Sequence, residues 1–501
     1  MKIRKILKLL TSLGLALLMS FGAVACTPPP DELPLEVEDN GEPYELVYYL
    51  VYNDANPPQD LASVQVKLNT LLKKKINSTI KIHAYTLAEY TSKVSGAIGA
   101  EVKFDVCATS PSMNPYITNV QREAFYPLDY LLPTYAPETW AAIPEQMWEQ
   151  ARVNGHIYAS INEQIFPRTF TYNAKSEVNI QAFLDEKYNG ILPSEVNTLK
   201  MDAFEFLEEY MQWLKVNRRG AGGKIAGVSI ESVLLAWYGY DDLGTGMSVP
   251  GAVQIDDETA TVVNQFDTDA FRELINTVYD WKEKGYIDSS ISGYDLTADS
   301  TWKPGYNVGQ SLRLGDAHYF TSYVIGTMNA ISSTSQNPAR AMKFIELLRT
   351  DPEIHNLLQF GIEDVHYIKD PANPNRIASF VEGSGYNNQN FGWGLGTEFI
   401  SYLLPDQEDN QWEQVKQINA ETPLSDLIGF NFDATALKQK IADCKAVTNE
   451  YIQAFQNAQY KASDVDAKYE EFLTRLDAAG AREIVNEKQR QLNEFLASKN
   501  Q

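Results

Sequence analysis

Three cysteines in 501 residues, at positions 26, 107 and 444, exclude a disulfide-stapled scaffold. Cys107 lies in the apolar run Phe104-Asp105-Val106-Cys107-Ala108 and reads as a buried strand residue. Cys444 lies in a helical pattern, and only the even number of the pair suggests a bridge between them. The five histidines, at 83, 156, 318, 355 and 366, show no metal-ligand spacing, so neither a metal centre nor a cofactor is expected. A Gly-x-Ser-x-Gly nucleophile elbow is also missing. Gly220-Ala221-Gly222-Gly223-Lys224-Ile225 has Ile225 where a phosphate loop needs Ser or Thr, and reads as a surface turn. Basic residues are scarce, 42 against 66 acids, for a formal charge of −24. Such a surface repels nucleic acid and anionic lipid. With 66 acids, some carboxylate pair arises by chance, so glycoside hydrolysis leaves no specific mark.

What is present begins at the N-terminus. Lys2, Arg4, Lys5 and Lys8 precede an apolar run from Leu9 to Val24, interrupted by Thr11, Ser12 and Ser20. That is a secretory signal over residues 1–25 rather than a membrane span. Ala23-Val24-Ala25-Cys26 resembles a bacterial lipobox, with Ala23 where the pattern prefers Leu, and implies a lipidated Cys26. The alternative is plain secretion with cleavage after Ala25 and a free thiol. Cleavage there removes the four basic residues and leaves the mature chain more acidic still. Residues 26–43, with Pro28, Pro29, Pro30, Pro34 and Pro43 among acids that include Asp31, Glu32, Glu36, Glu38 and Asp39, predict an extended, poorly ordered linker.

The body is long enough for two or three domains and alternates strand and helix patterns. Val47–Tyr52, Thr79–Tyr85 and Phe104–Ala108 read as strands, with amphipathic helices at Leu61–Lys74 and Glu89–Ile98 between them. This β-α-β-α-β start predicts a doubly wound parallel sheet, whose ligand loops follow the first and third strands. Those loops supply Asn53, Asp54 and Ser110. Further on, Asp269–Lys284 repeats apolar residues at Phe271, Leu274, Ile275, Val278 and Trp281. A second helix starts at Asn337-Pro338, a cap followed by proline at the tolerated first position. The tail steps through Leu437, Ile441, Cys444, Thr448, Tyr451 and Phe455, then Leu473 to Phe495, and predicts a packing helix pair.

Four segments in order carry a resemblance. Asn154-Gly155-His156-Ile157-Tyr158-Ala159, Asn162-Glu163-Gln164 and Thr171-Tyr172-Asn173 resemble a stretch of extracellular solute-binding proteins of bacterial ABC importers. In that family it closes the first lobe and crosses the hinge; Ala159-Ser160 replaces the usual Leu-Pro. Asn329-Ala330-Ile331-Ser332 with Asn337–Phe344 resembles the family's return to the first lobe. Leu358–Tyr367 looks like the LipO-like carbohydrate-binding branch, and Ala478–Leu492 like that branch's C-terminal domain of unknown function.

The resemblance implies an α/β, two-lobed periplasmic-binding-protein-like fold of type II with a helical C-terminal extension. On it, lobe 1 takes residues 44–165 and 319–368, and lobe 2 takes 166–318, completed by the helical region 369–501. It also implies a lipid-anchored, monomeric, extracytoplasmic receptor that captures a carbohydrate, expected to be an oligosaccharide, for ABC permease subunits, without catalysis. Sugars need flat aromatic faces and convergent polar groups. Asn162, Glu163 and Gln164 at the hinge, and Trp237, Tyr238, Trp302, Tyr306 and Trp393 from the second lobe, are the candidates beside the strand loops. Trp302 and Trp393 stand out because glycines flank them in loop-like segments. A receptor for a peptide or another polar solute is the alternative, suited to the acidic surface. A glycan-active enzyme is the third reading.

Overall fold

In the computed structural model, Leu46 and Tyr48 to Tyr52 are buried because strand β1 (Tyr44–Tyr52) is covered on both faces. That is why it reads as a near-continuous apolar run rather than an alternating one. The residues described are 36–52, 58–164, 166–173, 180–189, 203–217, 227–288, 296–299, 311–313, 317–405 and 407–499. Helix α1 (Leu61–Ile76) buries Val64, Leu68 and Leu72 and stops at Asn77, which takes the left-handed conformation at φ 48°. Strand β2 (Ser78–Thr86), helix α2 (Leu87–Gly99) and strand β3 (Val106–Thr109) follow, each within a few residues of expectation. β2 and β3 pair with β1 in parallel.

After β4 (Ala159–Ile161) the chain leaves this sheet and builds an antiparallel one from β5 (Thr169–Asn173), β6 (Leu296–Asp299) and β7 (Ser311–Arg313), in the order β6-β5-β7. It returns as β8 (Met328–Ile331), inserted between β3 and β4, so the first sheet runs β2-β1-β3-β8-β4. This corrects the expectation of a parallel sheet. Met328, the first residue of β8, pairs with Thr109 and Ile161, the last residues of β3 and β4. The chain therefore re-enters at the carboxyl edge it left by, and β8 must run antiparallel.

Two large cores result. The first gathers β1, β3, β8, α1, α2 and α4 (Pro338–Thr350), with α5 (Pro352–Phe360) behind. α4 starts as its sequence predicts: Asn337 Oδ1 accepts the Arg340 N–H at 2.9 Å, and Pro338 takes the first position. The second core centres on α3 (Asp269–Glu283), which buries the five apolar residues its period picks out. α6 (Lys438–Gln456) packs there through Cys444, Tyr451 and Phe455, with Tyr451 and Phe472 stacked 5.2 Å apart. Cys107 and Cys444 are both free and buried.

Three expectations on the plan of the chain need correcting. The linker does not extend to residue 43: Asp39 is buried against Arg340, which ties residues 37–43 to the body. The tail is three helices rather than two, because Gly480, at φ 111°, breaks α7 (Val465–Ala479) from α8 (Ala481–Lys499). A Cβ there would also sit 2.8 Å from the Lys440 side chain. Finally, Tyr386, Phe391, Leu395 and Ile428 belong to the first core, although 369–501 was expected to complete the second lobe. Gly220–Ile225 lies outside the described residues.

Candidate functional site

A cavity of about 490 Å³ opens where the loop after β3, the segment following β4, the residues before β8 and the first turn of the 242–246 loop converge. Pro111 and Ser112 line it from the first sheet, and Asp242, Gly244, Thr245, Gly246 and Lys445 from the elements of the second core. Gln164, Arg168, Tyr323, Gly326 and Thr327 come from the connecting segments, and Trp393 from the short 3-10 helix Gln389–Gly394. Its walls thus combine two aromatic rings, amide and hydroxyl groups, one carboxylate and two cations.

The sequence candidates divide sharply. Gln164 and Trp393 line the cavity. Ser110 does not: its Oγ accepts the N–H groups of Ser112 (3.2 Å) and Met113 (2.8 Å), so it closes the turn that presents Pro111 and Ser112. Asn162 is fully buried, accepting from Asn329 Nδ2 at 2.7 Å. Glu163 is paired with Arg349, whose side chain is itself 8% exposed. Trp237 packs 5.7 Å from Phe170 and 6.0 Å from Phe204, and with Tyr238 covers the second core rather than the cavity. Asn53, Asp54, Trp302 and Tyr306 lie outside the described residues, as does Cys26.

The pattern missed the residues that shape the far wall. Asp241 is fully buried and accepts the Thr321 N–H (2.8 Å) and hydroxyl (2.6 Å) together with the Leu243 N–H (2.8 Å). Burial, and then the neighbouring Asp242 charge, push its pKa up to about 6. Asp242, which faces the cavity, is raised by burial against the opposing pull of Lys488. Lys488, fully buried on α8, donates to the Asp242 carbonyl (3.1 Å), Thr245 Oγ1 (2.7 Å) and the Gly251 carbonyl (2.5 Å). Burial brings its pKa down to about 7 despite the two aspartates. On the near side, the Arg168 guanidinium lies 4.0 Å over the Tyr323 ring, and the Arg168 backbone exchanges two hydrogen bonds with His318. Gln164 donates weakly to Thr327 Oγ1 at 3.4 Å, while its carbonyl accepts from Asn419.

A groove with aromatic faces and scattered single polar groups suits a neutral, many-hydroxyl ligand better than a reacting one. Among the described residues no cluster of three His, Cys, Asp or Glu side chains could hold a metal, and no helix is long and apolar enough to cross a membrane.

Residues 426–497 match the model of a domain of unknown function, DUF3502. A protein of Streptococcus pneumoniae serotype 4 named carbohydrate ABC transporter substrate-binding protein is 23% identical over 479 residues, 90% of this chain and 91% of its own. The crystal structure of the N-glycan transport solute binding protein NgtS from Streptococcus pneumoniae superposes with a TM-score of 0.73 at 23% identity, covering 91% of this chain and all of that one. The same protein in complex with Man1GlcNAc and with Man5GlcNAc gives 0.67 and 0.65, at 21% and 22% identity, again over 91% of this chain and 100% and 99% of theirs. The fold is that of the two-domain solute-binding proteins. The solute-binding fold and the C-terminal domain are thus both as the hinge, return and tail motifs implied. The cavity draws its walls from both cores and from the segments that cross between them.

Proposed function

We propose that the protein is an extracytoplasmic receptor that captures an oligosaccharide between its two lobes and delivers it to an ABC importer. The observation that carries this reading is the makeup of the 490 Å³ cavity. Trp393 offers a flat face for the C–H patch of a sugar ring, and Gln164, Asp242 and the hydroxyls of Ser112, Thr245 and Thr327 offer partners for its hydroxyls. A ligand touching Ser112 or Trp393 on one side and Asp242 or Thr245 on the other is held by both lobes at once. Closure is then favoured by as much as the ligand prefers the closed state. Lipidated Cys26 tethers the monomeric receptor beside its permease. The names of the relatives support carbohydrate as the solute.

Thermal unfolding with Man1GlcNAc, Man5GlcNAc, unrelated neutral oligosaccharides and short cationic peptides tests the reading. A ligand at a thousand times its dissociation constant stabilises by about 4 kcal/mol. A rise in Tm with one glycan class, with the glycan recovered intact, is expected. A rise with peptides alone would support the alternative solute, and glycan cleavage would make the protein an enzyme.

A further inference from the structure

Beside the main cavity lies a second one of about 200 Å³, and Trp393 lines both. Its other walls include Trp412, Tyr402 and Glu398. Most of its polar groups are already committed. Gln359 donates to the Gln389 carbonyl (3.1 Å) and accepts from Ser401 Oγ (2.7 Å). Trp412 Nε1 donates to the Ser401 carbonyl (2.9 Å), and Gln407 Oε1 accepts the Leu404 N–H (2.9 Å). Lys369 sits 4.3 Å over the Tyr402 ring and donates to its hydroxyl.

Glu398 is the exception. It is 8% exposed, and its carboxylate takes part in no hydrogen bond and no ion pair among the described residues. Its oxygens are not sealed from water, so the carboxylate stands open to the cavity it lines. The main chain fixes it there: the Glu398 N–H donates to the Glu163 carbonyl (3.0 Å), and its own carbonyl accepts from Ser401 N–H (3.1 Å). A carboxylate only accepts hydrogen bonds, so a ligand entering the cavity can supply donors that the protein does not. Here those donors are hydroxyls, and two indoles and a phenol surround them.

We infer that this side pocket is an accessory subsite that takes one neutral hexose unit, its adjacent hydroxyls donating to Glu398, from a glycan long enough to fill the main cavity as well. The volume suits one ring: it falls below the roughly 300–1,000 Å³ of sites for drug-sized ligands, where the main cavity lies. Trp393, as common wall, lets one chain run from the first cavity to the second. The assignment rests on the carbohydrate reading above and adds a preference for larger glycans.

Calorimetric titration of the wild type, Glu398→Ala, Glu398→Gln and Gln389→Trp with Man1GlcNAc and Man5GlcNAc tests it. Gln389 is half-buried on the pocket wall, and a tryptophan there narrows the space while leaving Glu398 itself in place. Glu398→Ala and Gln389→Trp are each expected to weaken Man5GlcNAc by about tenfold or more, the value of a hydrogen bond to a charged group, and to leave Man1GlcNAc unchanged. Glu398→Gln, which keeps one acceptor, should fall between. Equal losses for both glycans, or none for either, overturn the subsite while leaving the receptor intact. A wild type that binds neither glycan, or a Glu398→Gln loss as large as Glu398→Ala with recovery of binding only for amino sugars, overturns the neutral hexose.

Discussion

Replacing Asp39 by alanine should destabilise the protein by about 3–5 kcal/mol, the cost of stranding a buried partner charge. The geometry sets this size. Asp39 holds Arg340 in a bidentate pair, Nε at 2.9 Å and Nη2 at 2.6 Å, and also takes Lys343 Nζ at 2.7 Å. The Arg340 and Asp39 side chains are 2% and 6% exposed, so water replaces little when the carboxylate goes. The remaining guanidinium nitrogen, Nη1, is committed to the carbonyls of Ile76 (2.6 Å) and Asn77 (3.0 Å) and to Ser78 Oγ (3.0 Å), so Arg340 is held fast and cannot follow a new partner. Asp39 also accepts the Gly41 N–H at 3.1 Å, which is lost with it. The assay is urea unfolding, reading a fall in midpoint at unchanged slope. Acid provides a second reading. The Arg340 hydrogen bonds hold the Asp39 carboxyl well below its ordinary 3.8, so its contribution is complete above pH 3.8 and fades as pH falls further towards its folded value. The gap between wild type and Asp39→Ala should therefore be constant near neutrality and narrow only in strong acid. A loss under about 1 kcal/mol, the level of an exposed pair, or a gap that closes near pH 6, would refute the argument.

Lys488→Ala should likewise cost about 3–5 kcal/mol, whereas Lys488→Met, of similar length and uncharged, should cost far less. Because Lys488 titrates near 7 when folded and at 10.5 otherwise, the unfolded chain binds the extra proton between those values, and Tm of the wild type should rise relative to Lys488→Met as pH climbs through that window. Trp393→Ala should weaken glycan binding by ~1 kcal/mol or more as a stacking face is lost, with calorimetry as the check. Trp237→Ala should leave affinity alone and lower stability, at or below the roughly 3–5 kcal/mol of a core tryptophan, because it faces Phe170 and Phe204.

How far the sequence reveals the site depends on whether a residue's role is local. α3 was legible because five apolar residues at helical spacing must share one face. Trp393 was legible because glycines on both sides argue against a regular core position, and the 3-10 turn has room for neither side chain: a Cβ at Gly392 would lie 2.7 Å from Gln359 Nε2. Asn162-Glu163-Gln164 was only half legible. Its residue types fit a ligand, but Glu163 is claimed by Arg349, 186 positions away, and Asn162 by Asn329, 167 away. Ser110 failed for the opposite reason, being captured by the N–H groups two and three residues on, a local bond that competes for any serine in a turn. Asp242 was illegible: one of 66 acids, it is singled out by a lysine 246 positions later.

That last link bears on what the C-terminal domain does for the cavity. Both Lys445, on its wall, and Lys488, behind it, fall within the 426–497 segment. Lys488 is the only cation among the described residues that donates to Asp242, Thr245 and Gly251 together, and so fixes both ends of the turn that carries Asp242, Gly244 and Gly246 to the cavity. Gly251 must remain glycine on two counts: its φ is 102°, and a Cβ would sit 2.6 Å from the Lys488 side chain. Gln265 holds the same turn from the other side, accepting the Gly251 N–H (3.0 Å) and donating to the Met247 and Val249 carbonyls (2.9 Å each), while Gly244 N–H donates to Asp242 Oδ1 at 2.8 Å. A helix from the far end of the chain thus reaches under a loop of the second core and sets where its carboxylate stands. With Lys445 on it and Lys488 behind it, the cavity's far wall is built partly from the tail, so the domain of unknown function is part of the cavity's frame and not an appendage to it.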